Sequence, residues 1–278
     1  MIKPMLRIAI AIAIAIAIAV VLLVLWLLQP LIERRMVFFP SREWAVDPWE
    51  LGLEARELTF AAADGTRLSG LWLESPEPQG VVVYAHGNAG NLSHRIPIAE
   101  VWRRELRLSV LLFDYRGYGR SQGVPDESGI LQDTLAAYDE AVRLGGEIPL
   151  VAGRSLGTVP AIQVAAQRQV RGLLLDSPMA SAARMAPRVL PLPGIGHLVS
   201  IQLDNVGRIG RVQCPILILH GELDRIIPIE QGREVHNAAR EATFVSLEGL
   251  GHNEPRTTPE ILNHLRDFVA SLKRSPGQ

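Results

Sequence analysis

The sequence has a single cysteine in 278 residues, Cys214. No intrachain disulfide can form, and cysteine usage gives no reading of the redox compartment. A lone thiol of this kind reads as a small buried apolar group. Lysine is nearly missing as well: of 28 basic residues only Lys3 and Lys273 are lysines. That bias fits a GC-rich, bacterial coding composition. The arginines form no run and the formal net charge is -1. The sequence thus offers no basic run of the kind a phosphate backbone requires, which argues against nucleic acid as a partner. There is no internal repeat, and low complexity is confined to an Ala-Ile segment near the amino terminus.

What is there begins with that segment. From Ile8 to Leu28 the chain runs 21 residues without a charged or polar side chain. As a helix rising about 1.5 Å per residue it would cross the roughly 30 Å hydrocarbon core of a bilayer. The Ala-Ile repeat has a period of two, but it gives neither face a polar side, and a strand of this length lies far outside the usual range. Lys3 and Arg7 would suit a signal peptide. The apolar stretch is long for one, however, and no small-x-small site follows before Glu33, so an uncleaved anchor is favoured over a cleaved signal. Trp26 suits an interfacial belt, while Arg34, Arg35 and Arg42 face Lys3 and Arg7 across the segment and leave sidedness open. With no cysteine nearby, a lipoprotein anchor is excluded there. Residues 1–35 are read as an anchor, with the bacterial inner membrane as the expected location, and residues 36–278 as one catalytic domain.

Beyond the anchor, Leu58-Thr59-Phe60 and Leu68 to Leu73, separated by Asp64-Gly65, predict a β-hairpin at an antiparallel sheet edge. Near-continuous apolar runs at Val81–Ala85, Leu108–Phe113, Pro149–Ala152, Gly172–Leu175, Pro215–Leu219 and Ala242–Leu247 predict strands buried on both faces. They alternate with helical patterns at Ile96–Leu106, Glu127–Leu144, Leu156–Arg168, Ile229–Arg240 and Pro259–Leu272. The alternation calls for an α/β fold: a mostly parallel sheet with helices on both faces. Met179–Val212, rich in proline and glycine, breaks the rhythm and predicts a short cap, with an ordinary crossover as the alternative.

Gly153-Arg154-Ser155-Leu156-Gly157 joins a predicted strand to a predicted helix. In such an elbow the serine backbone takes a strained conformation, and small neighbours let the turn close. A G-x-S-x-G string is weak evidence alone; the strand-to-helix context and two later motifs give it weight. Asp224, in His220-Gly221-Glu222-Leu223-Asp224, follows a strand, and His252 follows the next one through Gly249-Leu250-Gly251. Open parallel sheets form sites at such carboxyl ends. The order Ser155, Asp224, His252 is that of an α/β hydrolase and differs from the chymotrypsin-like and subtilisin-like orders. Ser155 is the candidate nucleophile, His252 the candidate base and Asp224 the candidate acid; Asp176 is the rival acid, and closing an Asx turn is the alternative role for Asp224. His86 and His220 abut strand ends and read as loop-orienting groups; His197 falls in the cap, and His236 and His264 in helices. The loop His86-Gly87-Asn88-Ala89-Gly90-Asn91 predicts one oxyanion donor, the Asn88 N–H, with the Leu156 N–H as the second.

Taken together, these stretches resemble the α/β-hydrolase superfamily of serine hydrolases, and within it the membrane-anchored Bem46-like, ABHD12/13/17-like group. The likeness rests on Phe38-Phe39-Pro40-Ser41-Arg42, His86 to Asn91, Asp114-Tyr115-Arg116-Gly117-Tyr118-Gly119-Arg120-Ser121, the elbow, His220-Gly221 with Asp224, and Gly251-His252. The resemblance implies hydrolysis of an ester or thioester, with lysophospholipids, acylglycerols or acyl-proteins as substrate classes, and neither a metal nor an organic cofactor. A prolyl-oligopeptidase-like peptidase and a non-catalytic scaffold on the same fold are the alternatives.

Overall fold

The computed structural model describes residues 2–272; Met1 and the tail that includes Lys273 lie outside the described residues. The chain divides into two compact units, Met1–Val37 and Phe38–Gln278. The first is one helix, α1 (Ile2–Val37), which runs nine residues past Leu28 and contains Pro30. The stretch Arg7–Val37 is long and apolar enough to cross a membrane: its most apolar 18-residue window has a mean hydropathy of 3.4 and is not buried. Trp26 is 67% exposed.

The second unit is built on one eight-stranded sheet: β1 (Arg56–Ala61), β2 (Arg67–Leu73), β3 (Gly80–Ala85), β4 (Leu108–Phe113), β5 (Leu150–Arg154), β6 (Leu173–Asp176), β7 (Ile216–Gly221) and β8 (Thr243–Leu247). Their order is β1-β2-β4-β3-β5-β6-β7-β8. The β1–β2 hairpin is antiparallel, and β2 also pairs antiparallel with β4. Every later pairing, from β4–β3 to β7–β8, is parallel. The hairpin turns where expected: Gly65 takes φ +82° and donates to Ala62 O at 2.9 Å, and Asp64 Oδ1 accepts from Thr66 N at 3.0 Å.

The helices are α2 (Ile96–Glu105), α3 (Glu127–Gly145), α4 (Thr158–Gln167), α5 (Ala182–Val189), α6 (Val206–Ile209), α7 (Ile229–Ala238) and α8 (Pro259–Ser271). Sequence alternation divides the two faces of the sheet. Val82, Tyr84, Val110, Leu112, Leu150, Ala152, Leu174, Leu217 and Leu219 pack with α2 and α8 in one buried cluster. The intervening Val83, Leu111, Phe113, Val151, Leu173, Leu175 and Ile218 are fully buried as well. Edge strand β8 departs from the expectation of burial on both faces: Thr243 is exposed and the next three residues are only half-buried. A strand with a single neighbour has no second strand to cover it. Between β6 and β7, the segment 179–212 folds into α5, a short 3-10 turn at Ile195–His197, and α6. It leaves Val189, Leu190, Leu192 and Leu198 exposed.

Candidate active site

Ser155 follows the last residue of β5 and opens a 3-10 turn, Ser155–Gly157, that leads into α4. Its φ is +51°, a left-handed conformation unusual for a residue with a side chain and costing about 1–3 kcal/mol. Two contacts show why the flanking residues must be glycine. A Cβ on Gly157 would lie 2.0 Å from Ala85 O, and one on Gly153 would lie 2.5 Å from Gly157 O. The turn closes only where backbone meets backbone. Thr158 Oγ1 donates to Ser155 O at 2.6 Å and accepts from Asn205 Nδ2 at 3.0 Å, which ties the turn to the start of α6.

Asp224 lies three residues past β7 and is buried. Its two oxygens have different tasks. Oδ1 accepts from Ile226 N at 3.0 Å and Ile227 N at 2.8 Å, closing an Asx turn. Oδ2 accepts from His252 Nδ1 at 2.7 Å. Turn closure and pairing with the imidazole are thus compatible uses of one carboxylate. Burial alone would raise the Asp224 pKa; hydrogen bonding with His220 and His252 outweighs it and holds the carboxyl well below the usual range. An ionised carboxylate only accepts, so His252 carries its proton on Nδ1 and Nε2 is left as the basic nitrogen. His220 is buried, with Nε2 2.9 Å from Ile227 O and 3.5 Å from Asp224 Oδ2, where it braces the Asp224 loop.

The rival carboxylate, Asp176, ends β6 in register with Arg154. It meets no imidazole: Oδ1 accepts from Arg256 Nε at 3.0 Å, and Oδ2 lies 3.4 Å from Arg154 Nε. The same guanidiniums reach the histidine loop, Arg154 Nη2 to His252 O at 2.5 Å and Arg256 Nη2 to Gly251 O at 2.9 Å. Sequence reasoning missed this cluster. Its signal was present in the β5 alternation, which places Leu150, Ala152 and Arg154 on the α2/α8 face.

The glycine loop passes close to the elbow, since a Cβ on Gly87 would lie 3.6 Å from Ser155 Cβ. The Asn88 side chain is held from two sides, Oδ1 accepting from Phe39 N at 3.0 Å and Tyr118 Oη at 2.9 Å. Pro40 forms a parallel bridge to Gly90, Gly119 N donates to Ser41 O at 2.8 Å, and Asn91 Nδ2 donates to Glu43 O at 2.6 Å. Three separated motifs, around Phe39, Asn88 and Tyr118, therefore lace into one scaffold under the loop. Asp114 accepts from Leu92 N at 2.7 Å inside this scaffold, and burial raises its pKa to about 7. His86 Nε2 lies 3.8 Å away, too far for a hydrogen bond, and burial lowers the imidazole to about 3. His86 is neutral near pH 7 and orients the loop, with Nδ1 2.7 Å from Gly87 O. Arg116 fixes the far end, its Nη2 2.8 Å from Asp133 Oδ1 and its Nη1 2.8 Å from Asp64 Oδ2.

A sheet of this order, with a strand-to-helix elbow at β5 and loops gathered at the parallel strands' carboxyl ends, is an α/β-hydrolase fold. Residues 82–205 match the family described as "Alpha/beta hydrolase family". Over 227 residues the chain is 32% identical to the protein YfhR of Escherichia coli O157:H7, spanning 77% of this chain and 78% of that one. Over 247 residues it is 33% identical to protein bem46 of Schizosaccharomyces pombe, spanning 83% and 81%. In three dimensions it is similar to the esterase Pf2001 of Pyrococcus furiosus, with a TM-score of 0.69 at 19% identity over 86% of this chain and 100% of that one. That likeness carries the fold, and the sequence relatives carry the family. The chain belongs to the α/β-hydrolase family, among its Bem46-like members.

Proposed function

We propose that the protein is a serine hydrolase that cleaves carboxylic ester or thioester bonds through an acyl-enzyme. The observation that carries this reading is the 2.7 Å hydrogen bond between His252 Nδ1 and Asp224 Oδ2, in the loops beyond the elbow that strains Ser155 to φ +51°. In the first step Ser155 Oγ attacks the carbonyl carbon and gives its proton to His252 Nε2, while Asp224 holds the imidazole tautomer and stabilises the imidazolium. The carbonyl oxygen, now an oxyanion, is met by the N–H groups of Asn88 and Leu156. Collapse expels the alcohol or thiol with the proton from His252. Water, activated by the same nitrogen, then releases the acid and restores Ser155.

The proposed substrates are lipid or acylated esters at a membrane. Two features support this choice: the apolar helix α1, read as an uncleaved single-pass anchor in a bacterial inner membrane, and the exposed Val189, Leu190, Leu192 and Leu198 of the cap at 179–212. An anchored enzyme meets lipid substrates at raised effective concentration. Hydrolysis of a p-nitrophenyl ester series tests the reading. Activity that rises with acyl length and disappears in Ser155→Ala supports it; cleavage of an aminoacyl-proline substrate alone would favour a prolyl-oligopeptidase-like peptidase, and no turnover by folded protein a scaffold.

A further inference from the structure

Behind the elbow, on the α2/α8 face of the sheet, lies a cavity of about 410 Å³. None of Ser155, Asp224 and His252 lines it. Its polar wall carries three guanidiniums, Arg95, Arg154 and Arg256, with His94, against a single carboxylate, Asp176. Apart from Tyr84 and Thr257 its remaining lining is apolar, including Ile98, Val101, Trp102, Leu174 and Leu219. A concave space of this size, mostly apolar with a few convergent polar groups, has the form of a small-molecule site, for which volumes of about 300–1,000 Å³ are usual.

The charges do not balance within the cavity. Asp176 is already engaged by both Arg154 and Arg256. Arg95 Nη2 donates to Ala89 O at 2.6 Å, and its Nε is buried with no hydrogen-bond partner. Burial lowers the Arg95 pKa, and neighbouring Arg154 adds to the effect. Arg95 as a whole is half-buried, but a guanidinium nitrogen shut off from water with no acceptor is costly unless an anion meets it.

We propose that the cavity binds an amphiphilic anion, a carboxylate or phosphate head on a short alkyl tail. The head meets Arg95 with Arg154 and Arg256, for which planar guanidinium forks are suited. The tail lies between α2 and the sheet. Arg154 and Arg256 also hold the main-chain oxygens of His252 and Gly251, so a bound head competes for donors that position the histidine loop. That last consequence rests on the catalytic reading given above; binding itself does not.

Isothermal titration of the full-length chain in nanodiscs with hexyl phosphate and hexanoate tests the proposal, with hexanol and hexylammonium as neutral and cationic controls. At least one anion is expected to bind ten-fold or more tightly than either control. The tighter of the two distinguishes a phosphorylated ligand from a free fatty acid. Arg95→Gln is expected to weaken binding five-fold or more. Ile98→Trp, which fills the apolar end and removes no charge, is expected to abolish binding and decides the matter if Arg95→Gln melts early. Equal affinity for hexanol, or anion binding unchanged in Ile98→Trp, overturns the proposal. Because titration reads no turnover, its outcome is separable from that of the ester assays.

Discussion

The carboxyl ends of β6 and β7 each present an aspartate after an apolar strand, yet the two carboxylates have different partners. Asp224 meets the imidazole of His252, whereas Asp176 lies between the guanidiniums of Arg154 and Arg256. A third such residue, Asp114 beyond β4, hydrogen-bonds neither kind of group: it is buried 3.8 Å from the His86 imidazole, which burial keeps neutral. Strand ends thus supply three carboxylates in similar backbone settings. The partner decides what each can do: on the proposed reading steer a base, bind loops together, or titrate near neutral pH inside the scaffold.

Exchanging the acids is the strongest way to break this comparison. Asp224→Asn should lower kcat on a p-nitrophenyl ester by about 10⁴, because the amide favours the wrong imidazole tautomer. Asp176→Asn should keep kcat within about ten-fold, since no proton passes through it. Equal losses in the two variants, measured side by side, would erase the distinction. The next largest effect is on stability. Asp176→Ala leaves two mostly buried guanidiniums without their carboxylate and should cost about 3–5 kcal/mol in urea unfolding, while Asp224→Asn should cost less. Gly157→Ala isolates the elbow from both acids: its Cβ would overlap Ala85 O, and the overpacking should cost about 1–3 kcal/mol or more and take activity with it.

The smallest effect sharpens the third member of the comparison. Asp114 has its pKa raised to about 7, so its contribution to stability is present below the unfolded value and lost as pH rises toward 7. His86 is lowered to about 3, so its contribution is present above its unfolded value of 6.5 and lost as pH falls toward 3. Between about pH 4 and 6.5 the two slopes oppose each other. Asp114→Asn removes one of them. The variant's stability should then climb more steeply with pH than wild type, by up to about 1.4 kcal/mol per unit, as read from urea midpoints across that range. A slope unchanged from wild type would mean that Asp114 does not titrate there.

Much of this architecture is legible in the sequence alone. The hairpin at Asp64-Gly65, the six apolar strands and the alternating helices follow from short-range periodicity, which reports burial directly. The strained Ser155 was legible because only glycine fits on either side of so tight a turn. Edge strand β8 was overread: apolar composition does not reveal which strand has a single neighbour. The fates of Asp176 and Asp224 were harder still, since Arg154 and Arg256 are 102 positions apart in the chain and meet only through the β5–β6 register and the loop after β8. The lacing of Phe39 and Tyr118 onto Asn88 is of the same kind. Local signals place a residue on an element. Long-range hydrogen bonds decide its neighbours.

Covalent capture of the proposed nucleophile is the most direct measurement. Full-length protein treated with a fluorophosphonate and analysed by peptide mass spectrometry should carry one phosphonyl group on Ser155. Labelling should vanish in Ser155→Ala, slow strongly in Asp224→Asn, and proceed near the wild-type rate in Asp176→Asn. Folded protein that takes up no label, or takes it up on a different serine, would contradict the account.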